Sequence, residues 1–334
     1  MKSLIQKLVE TVGPSGYESA VRDVVRAEVE SLADEVRVDP LGSLVARKGS
    51  KGQDGLRIML SAHMDEIGVI ATHIDENGFV RFTNIGGVRP HTLNGGRVRF
   101  TNGTRGVIFM ERQDAPDRLP GLDQFYIDIG ASNRQDCPVR VGDVAAFDRP
   151  FLDLGDRLVS KAMDDRISVA VQIETLRHLK NTPHELYFVF SVQEEVGLRG
   201  AQPAAYGIDP EIGISVDVTA TGDIPKSPFG KMDVSLGKGP AIKIRDGRML
   251  SDPRLVTLLI ETASRAGLPY QLEVLEGGTT DAAAIQLVRA GVPSICVSIP
   301  TRYIHSPSEM VDYRDVQNAV HLLVELLSKP IKLD

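Results

Sequence analysis

The sequence predicts an α/β fold: a mostly parallel central sheet with helices on both faces, interrupted by a small all-β domain. Three observations lead there. In 1–66 and again in 155–334, apolar strand-length runs alternate with helical patterns about 10–15 residues long, as crossover-linked parallel strands require. Between them, 67–154 loses helical period and carries short strands separated by turns. The chain has 334 residues, room for two units at roughly 150 residues each. The expected organisation is a discontinuous α/β domain, 1–66 plus 155–334, with a β domain of 67–154 inserted.

Taken in order, 3–12 and 18–33 have amphipathic helical spacing, split by the breaker Gly13-Pro14-Ser15-Gly16. Short strands are expected at 35–38 and 43–47, joined by Asp39-Pro40-Leu41-Gly42. The apolar run 57–62 reads as a buried strand and ends on His63, Asp65 and Glu66. The inserted domain offers strands at 69–74, 79–83, 98–100, 106–110, 125–129 and 144–147, with turns at Asn77-Gly78 and Asn102-Gly103. Beyond it, the pattern predicts helices at 165–179, 253–266, 280–290 and 314–328, and a short helix after Leu198. Strands are expected at 184–191, 211–216, 270–275 and 293–298.

Composition narrows the function. Apolar residues make up 42% and charged residues 25%, ordinary for a globular chain and not for a disordered one. Net charge is −7 with no Lys/Arg block, so no nucleic-acid or membrane footprint is expected. Cys137 and Cys296 form no Cys-x-x-Cys pair, which excludes thiolate zinc sites. No apolar run reaches the about 18 residues that span a bilayer. Leu4, Ile5, Leu8 and Val9 are spaced as a helix face, not a signal core. A cytoplasmic protein with reduced thiols is expected.

Ligands of open α/β sheets bind at the carboxyl ends of strands. His63 and Asp65 follow the strand at 57–62, Glu194 and Glu195 the strand at 184–191, and Asp217 the strand at 211–216. His305 lies past the strand at 293–298, and Asp164-Asp165 opens the helix at 165. So many carboxylates on one edge would repel one another unless cations neutralise them. Imidazole and carboxylate without thiolate suit first-row divalent ions, zinc and cobalt among them. The candidates outnumber the three or four ligands of one ion, so two ions about 3.5–4 Å apart, sharing a carboxylate, are expected. On an extended segment His63 and Asp65 face the same way, so Asp65 can hold the second ring nitrogen of His63. Of Glu194 and Glu195, one can ligate while the other serves as general base toward a water acidified by the ions. His73, His91, His178, His184 and His321 have no such acid partners and are expected to be structural.

Five segments in fixed order carry a resemblance. Ala62-His-Met-Asp-Glu-Ile-Gly68, Ser160-Lys-Ala-Met-Asp-Asp-Arg166, Val192-Gln-Glu-Glu-Val-Gly-Leu-Arg-Gly-Ala201, Val216-Asp-Val-Thr219 and Arg302-Tyr-Ile-His-Ser306 resemble the di-metal glutamyl, leucyl and deblocking aminopeptidases that form tetrahedral particles. The likeness runs over nearly the whole chain. It implies that Asp164 bridges two metals, that His63 and Asp217 complete one site, and that Glu195 and His305 complete the other. It makes Glu194 the general base and gives Asp65 the task of holding His63. It also implies peptide substrates, an inserted β domain that drives association, and a homo-oligomer, either a dimer or a tetrahedral dodecamer. One departure is visible: Gly277-Gly278-Thr279-Thr280-Asp281 stands where the family reads Gly-Gly-Gly-Thr-Asp, at a loop placed by the resemblance near the substrate pocket.

The expected function is hydrolysis of N-terminal residues from peptides, with two divalent ions, zinc or cobalt, activating water. Two alternatives exist. Carboxylate pairs also serve glycosidases, but the histidines would then have no task, and the chain has no Trp to stack on sugars. A non-catalytic assembly protein on the same scaffold would be expected to have lost ligands, and none is lost here.

Overall fold

The computed structural model describes residues 1–112, 120–227 and 232–333. The first segment supplies α1 (Lys2–Glu10), α2 (Ser19–Val29), β1 (Glu35–Val38), β2 (Leu44–Lys48) and β3 (Arg57–His63). The inserted part follows as β4 (Gly68–Ile74), β5 (Val80–Ile85), β6 (Arg97–Phe100), β7 (Arg105–Met110), β8 (Phe125–Asp128) and β9 (Val144–Phe147). The chain then returns through β10 (Leu152–Asp153), β11 (Arg157–Ser160), α3 (Met163–His178), β12 (Glu185–Ser191), α4 (Ala201–Ile208), β13 (Ile212–Thr219) and β14 (Ala241–Arg245). It ends with α5 (Pro253–Ala266), β15 (Gln271–Val274), α6 (Asp281–Gln286), β16 (Ser294–Arg302), β17 (Glu309–Asp312) and α7 (Tyr313–Leu327).

The expected parallel sheet is the centre of a larger mixed one. β12, β3, β13 and β16 run parallel in that order, and antiparallel strands extend both flanks as β1-β2-β12 and β16-β17-β11-β10. The short strands β10, β11, β14 and β17 are additions to the sequence reading. Each is five residues or fewer, too short to show alternation. All six strands expected in the insertion form, and they close as an antiparallel barrel in the order β4-β5-β8-β7-β6-β9. Two expected helices are shorter than their patterns. The one at 280–290 stops at Gln286, where the chain turns through Arg289 at φ +52, and the one at 18–33 stops at Val29.

Alternation on the central strands puts a helix layer on each face. Leu186, Phe188 and Phe190 of β12, with Ile58 and Leu60 of β3, face α1, α2, α3 and α7. Met59 and Val189 face Ala201, Ala204, Ala205 and Ile208 of α4 and Ile285 of α6. Each fully buried Leu or Phe contributes roughly 1.5–3 kcal/mol over exposure. α3 is buried from Met163 to Leu176 because it lies between the sheet and the outer helices, so its sequence shows no polar stripe. α5 is capped at both ends. Asp252 accepts from the Arg254 N–H at 2.9 Å, Pro253 opens the first turn, and Gly267 closes it at φ +66.

Where the barrel joins the sheet, a buried charge cluster fixes the crossing. Lys161 Nζ lies 2.9 and 2.7 Å from the two Glu66 oxygens, and Arg166 Nη2 lies 3.5 Å from Oε1. Arg166 also donates to the carbonyls of Leu8 (2.7 Å), Thr11 (3.0 Å), Gly13 (3.3 Å) and Met64. One guanidinium thus ties the end of α1, the Gly13-Pro14 breaker and the strand exit at Met64 to the start of α3. Further along, Arg302 at the end of β16 is held in bidentate fashion by Asp223 at 3.0 and 2.7 Å. Arg302 and a backbone N–H bond from Leu236 keep the Asp223 carboxyl down at about 2, against its burial.

Two outcomes are expected. Arg166→Met strands four carbonyls and part of the Glu66 charge, and should cost roughly 3–5 kcal/mol of unfolding free energy in a urea titration. Asp223 has a depressed folded-state pKa, so its contribution is complete above about 3.9 and fades as pH falls toward about 2. Asp223→Asn should therefore lower the urea midpoint at pH 7, and the gap to the parent chain should narrow between pH 4 and pH 2.

Candidate metal centre

The carboxyl ends of the four parallel strands meet in a cleft of about 330 Å³. His63, Asp164, Glu194, Glu195, Asp217 and His305 all line it. β3 ends on His63, the turn after β12 delivers Glu194 and Glu195, and Asp217 lies near the end of β13. The connection from β11 into α3 brings Asp164, and the loop between β16 and β17 brings His305. His305 and Tyr303 both sit in the left-handed region, at φ +61 and +62, which turns the imidazole back over the strand ends.

The Asp164 carboxylate lies between the two imidazoles. Its Oδ1 is 3.0 Å from His63 Nε2 and its Oδ2 is 3.3 Å from His305 Nε2. His305 Nε2 is also 3.1 Å from Glu195 Oε2, and His63 Nε2 is 3.9 Å from Glu194 Oε2. Among the described residues, two groups of donor atoms lie within 4.8 Å of one another: His63 with Asp164 and Glu195, and His63 with Asp165 and Asp217. Asp165 thus shares the cluster with Asp164, to which it is joined by a cis peptide bond. It differs in exposure and duty. It is fully buried, and its Oδ2 accepts from the His63 backbone N–H at 3.2 Å.

Asp65 lies just behind His63. Its carbonyl oxygen is 3.1 Å from His63 Nδ1, with carboxylate Oδ1 at 3.4 Å. The carboxylate also accepts from the Ser15 hydroxyl (2.6 Å) and from the backbone N–H groups of Glu194 (3.0 Å) and Glu195 (3.2 Å). One buried acid therefore orients an imidazole and fixes the glutamate pair. On the far side, Gly86 and Gly87 of the barrel close the cleft. A Cβ on Gly87 would lie 2.6 Å from His305 Cε1, so the barrel backbone rests directly on that ring.

The electrostatics are those of a site built for cations. Burial pushes the Glu194, Asp217 and Asp165 carboxyls well above the usual range, with neighbouring acids adding to it. Glu195 is raised for the same reasons. Burial opposes charge on the imidazoles too, yet Asp164 and Asp65 hold His63 well above its ordinary value. Asp164 and Glu195 hold His305 up at about 11. Asp164, despite burial, is held below the ordinary carboxylate range by the two histidines. Among the described residues, Glu195 Oε1 and Asp165 Oδ1 are buried with no hydrogen-bond partner. Orphaned oxygens beside imidazole nitrogens, with no thiolate near, fit first-row divalent cations.

Every site residue read from the sequence comes to this cleft or directly behind it. The other histidines stay away from it: His184 takes the Leu56 N–H on Nδ1 and bonds the Lys329 carbonyl, and His178 bonds the Glu174 carbonyl. Glu309 escaped the sequence reading. It is buried and accepts the backbone N–H groups of Asp164 and His305; its only signal was lying four residues after His305. The buried Lys243–Glu273 pair, whose Glu273 takes the Thr219 hydroxyl at 2.7 Å, also escaped. Gly278 and Thr279 of the departing glycine-rich loop do line the cleft, with Arg248 beside them.

Comparison with known proteins gives this arrangement its context. The model of the M42 glutamyl aminopeptidase family matches residues 42–322. The lysyl aminopeptidase of Pyrococcus furiosus is 38% identical, over 99% of this chain and 98% of its own. The solved structure of aminopeptidase APDkam598 from the archaeon Desulfurococcus kamchatkensis superposes with a TM-score of 0.94 at 40% identity, covering 98% of this chain and 94% of that one. The Pyrococcus horikoshii TET1 peptidase, which can assemble into a tetrahedron or a large octahedral shell, gives a TM-score of 0.87 at 30% identity over 98% of this chain and 99% of its own. With the match extending from the strand before the cleft to the last helix, the chain belongs to the M42 glutamyl aminopeptidase family and is a metallo-aminopeptidase.

Proposed function

We propose that this chain removes N-terminal residues from peptides at a two-ion centre in the strand-end cleft, with Glu194 as general base. The observation that carries it is the Asp164 carboxylate, whose two oxygens each face a different imidazole. His63, Asp164 and Asp217 would hold one ion; Asp164, Glu195 and His305 would hold the other. Asp164 suits the shared position better than Asp165, because Asp165 has one oxygen committed to the His63 backbone. When bound, a pair of zinc or cobalt ions acidifies water and polarises a peptide carbonyl.

The protein's own groups do the rest. Glu194 has its backbone N–H pinned by Asp65, and only 11% of its side chain is exposed, at the cleft wall. Its raised affinity for a proton suits a group that takes one and gives it back. It receives a proton from the attacking water as the water oxygen adds to the scissile carbonyl carbon. It passes that proton to the amide nitrogen as the C–N bond breaks. Asp65 orients His63 throughout. Acids near the ions receive the free α-amino group, which confines cleavage to the chain end.

The proposed setting is a cytoplasmic homo-oligomer, a dimer or a tetrahedral dodecamer, with the 67–154 domain as its association element. Among the described residues no helix is long and apolar enough to cross a membrane, and both cysteines are free. The barrel exposes Val107 and Phe109 on one face of β7, at 43% and 49%, an apolar strip fit for burial against another copy.

Two measurements test this reading. Hydrolysis of aminoacyl-nitroanilides should vanish with a chelator and return with cobalt or zinc, and Glu194→Gln should lower kcat roughly 10²–10⁴-fold with ion content unchanged; activity indifferent to the chelator sinks the proposal. Replacing Val107 and Phe109 together with Lys should lower the mass seen by light scattering, whereas an unchanged mass removes the barrel from the association interface.

A further inference from the structure

We propose that Glu309 is a positioning residue that sets the distance between the two halves of the ion site holding Asp164, Glu195 and His305. This rests on the two-ion reading above. Asp164 and His305 come from chain segments far apart in sequence, and neither is in regular secondary structure. Asp164 departs from helical dihedrals at the start of α3, and His305 sits in a loop at φ +61. Nothing in a ladder or a helix therefore fixes one relative to the other. Glu309 does. Its Oε2 accepts the Asp164 N–H at 2.9 Å and its Oε1 accepts the His305 N–H at 2.8 Å.

The position of Glu309 is itself secured. It opens β17 and pairs with Ser160 of β11, four residues before Asp164. Its side chain is 1% exposed, so water does not replace either bond. Only a carboxylate can serve here, because two donors must meet two acceptor oxygens on one side chain. The isosteric amide of Gln offers one oxygen and turns an NH₂ toward the other N–H, so one arm of the clamp must open. His63 and Asp217 are held by β3 and β13, so the other ion site meets the clamp only through the shared Asp164. Residues behind metal ligands commonly set ion affinity to within roughly 10–100-fold.

The test is calorimetric titration of the metal-free full chain with cobalt, alongside its thermal midpoint without metal. The parent chain should show two classes of site. Because Asp164 is shared, Glu309→Gln should weaken both classes but unequally: the class lost in His305→Ala, two of whose ligands the clamp holds, by roughly 10–100-fold, and the class lost in His63→Ala by clearly less. Glu309→Asp, which keeps both acceptors on a shorter arm, should fall between. Two unchanged classes in Glu309→Gln overturn the proposal. So does equal weakening of both classes together with a lower metal-free midpoint, the mark of a merely structural residue. If the parent chain itself binds no cobalt, the two-ion reading fails first and carries this proposal with it.

Discussion

Like charge gathered out of water governs this molecule. Asp164, Asp165, Glu194, Glu195 and Asp217 crowd the carboxyl edge of four parallel strands, mostly covered by protein. Ionised together and uncompensated, they would drive the strand ends apart. Burial pushes the Glu194 and Asp217 carboxyls up, and the acids around His63 and His305 raise both imidazoles, so the cluster favours positive charge among its acids. Divalent cations held by these side chains would supply it, with more charge in less space. Much of the surrounding structure can be read as what keeps such a cluster in place.

That support comes in two layers. Asp65 and Glu309 are buried acids whose oxygens are turned to N–H groups, the Ser15 hydroxyl and a ring nitrogen, so their charge orients the cleft-facing side chains. Farther out, Lys161 and Arg166 neutralise Glu66 and tie together backbone that would otherwise end in loose loops. The cleft is therefore acidic at its centre and cationic behind, and the entry to the barrel passes through the cationic part. Pro14 bridges Glu66 at this junction, joining the breaker between the first two helices to the same crossing.

Much of this was legible in the residues. The change from helical spacing to alternation near Ile67 marked the insertion, and strand ends bearing His63, Glu194 and Asp217 pointed to one edge. What stayed hidden was whatever depends on contact across the sequence. Strands such as β17 are too short to show a period, and Glu309 before Met310 looks like any acid at a strand start. Nothing in the sequence marks Arg166 and Lys161 as buried, because a single sequence does not reveal that the segment they open packs against α1, α2 and α7. The antiparallel strands beyond β16 escaped for the same reason: their partners lie up to 155 residues away, as Arg157 with Asp312 shows.

The contact of Gly87 with the His305 ring means that the inserted barrel is a wall of the cleft as well as a module beside it. The insertion is accordingly not interchangeable with another of similar size. A transplanted domain would have to present bare backbone at this spot, two glycines in a row, or it would push an imidazole off its place. The requirement couples the barrel to the cleft: whatever else changes on its surface, Gly86 and Gly87 after β5 must stay without side chains.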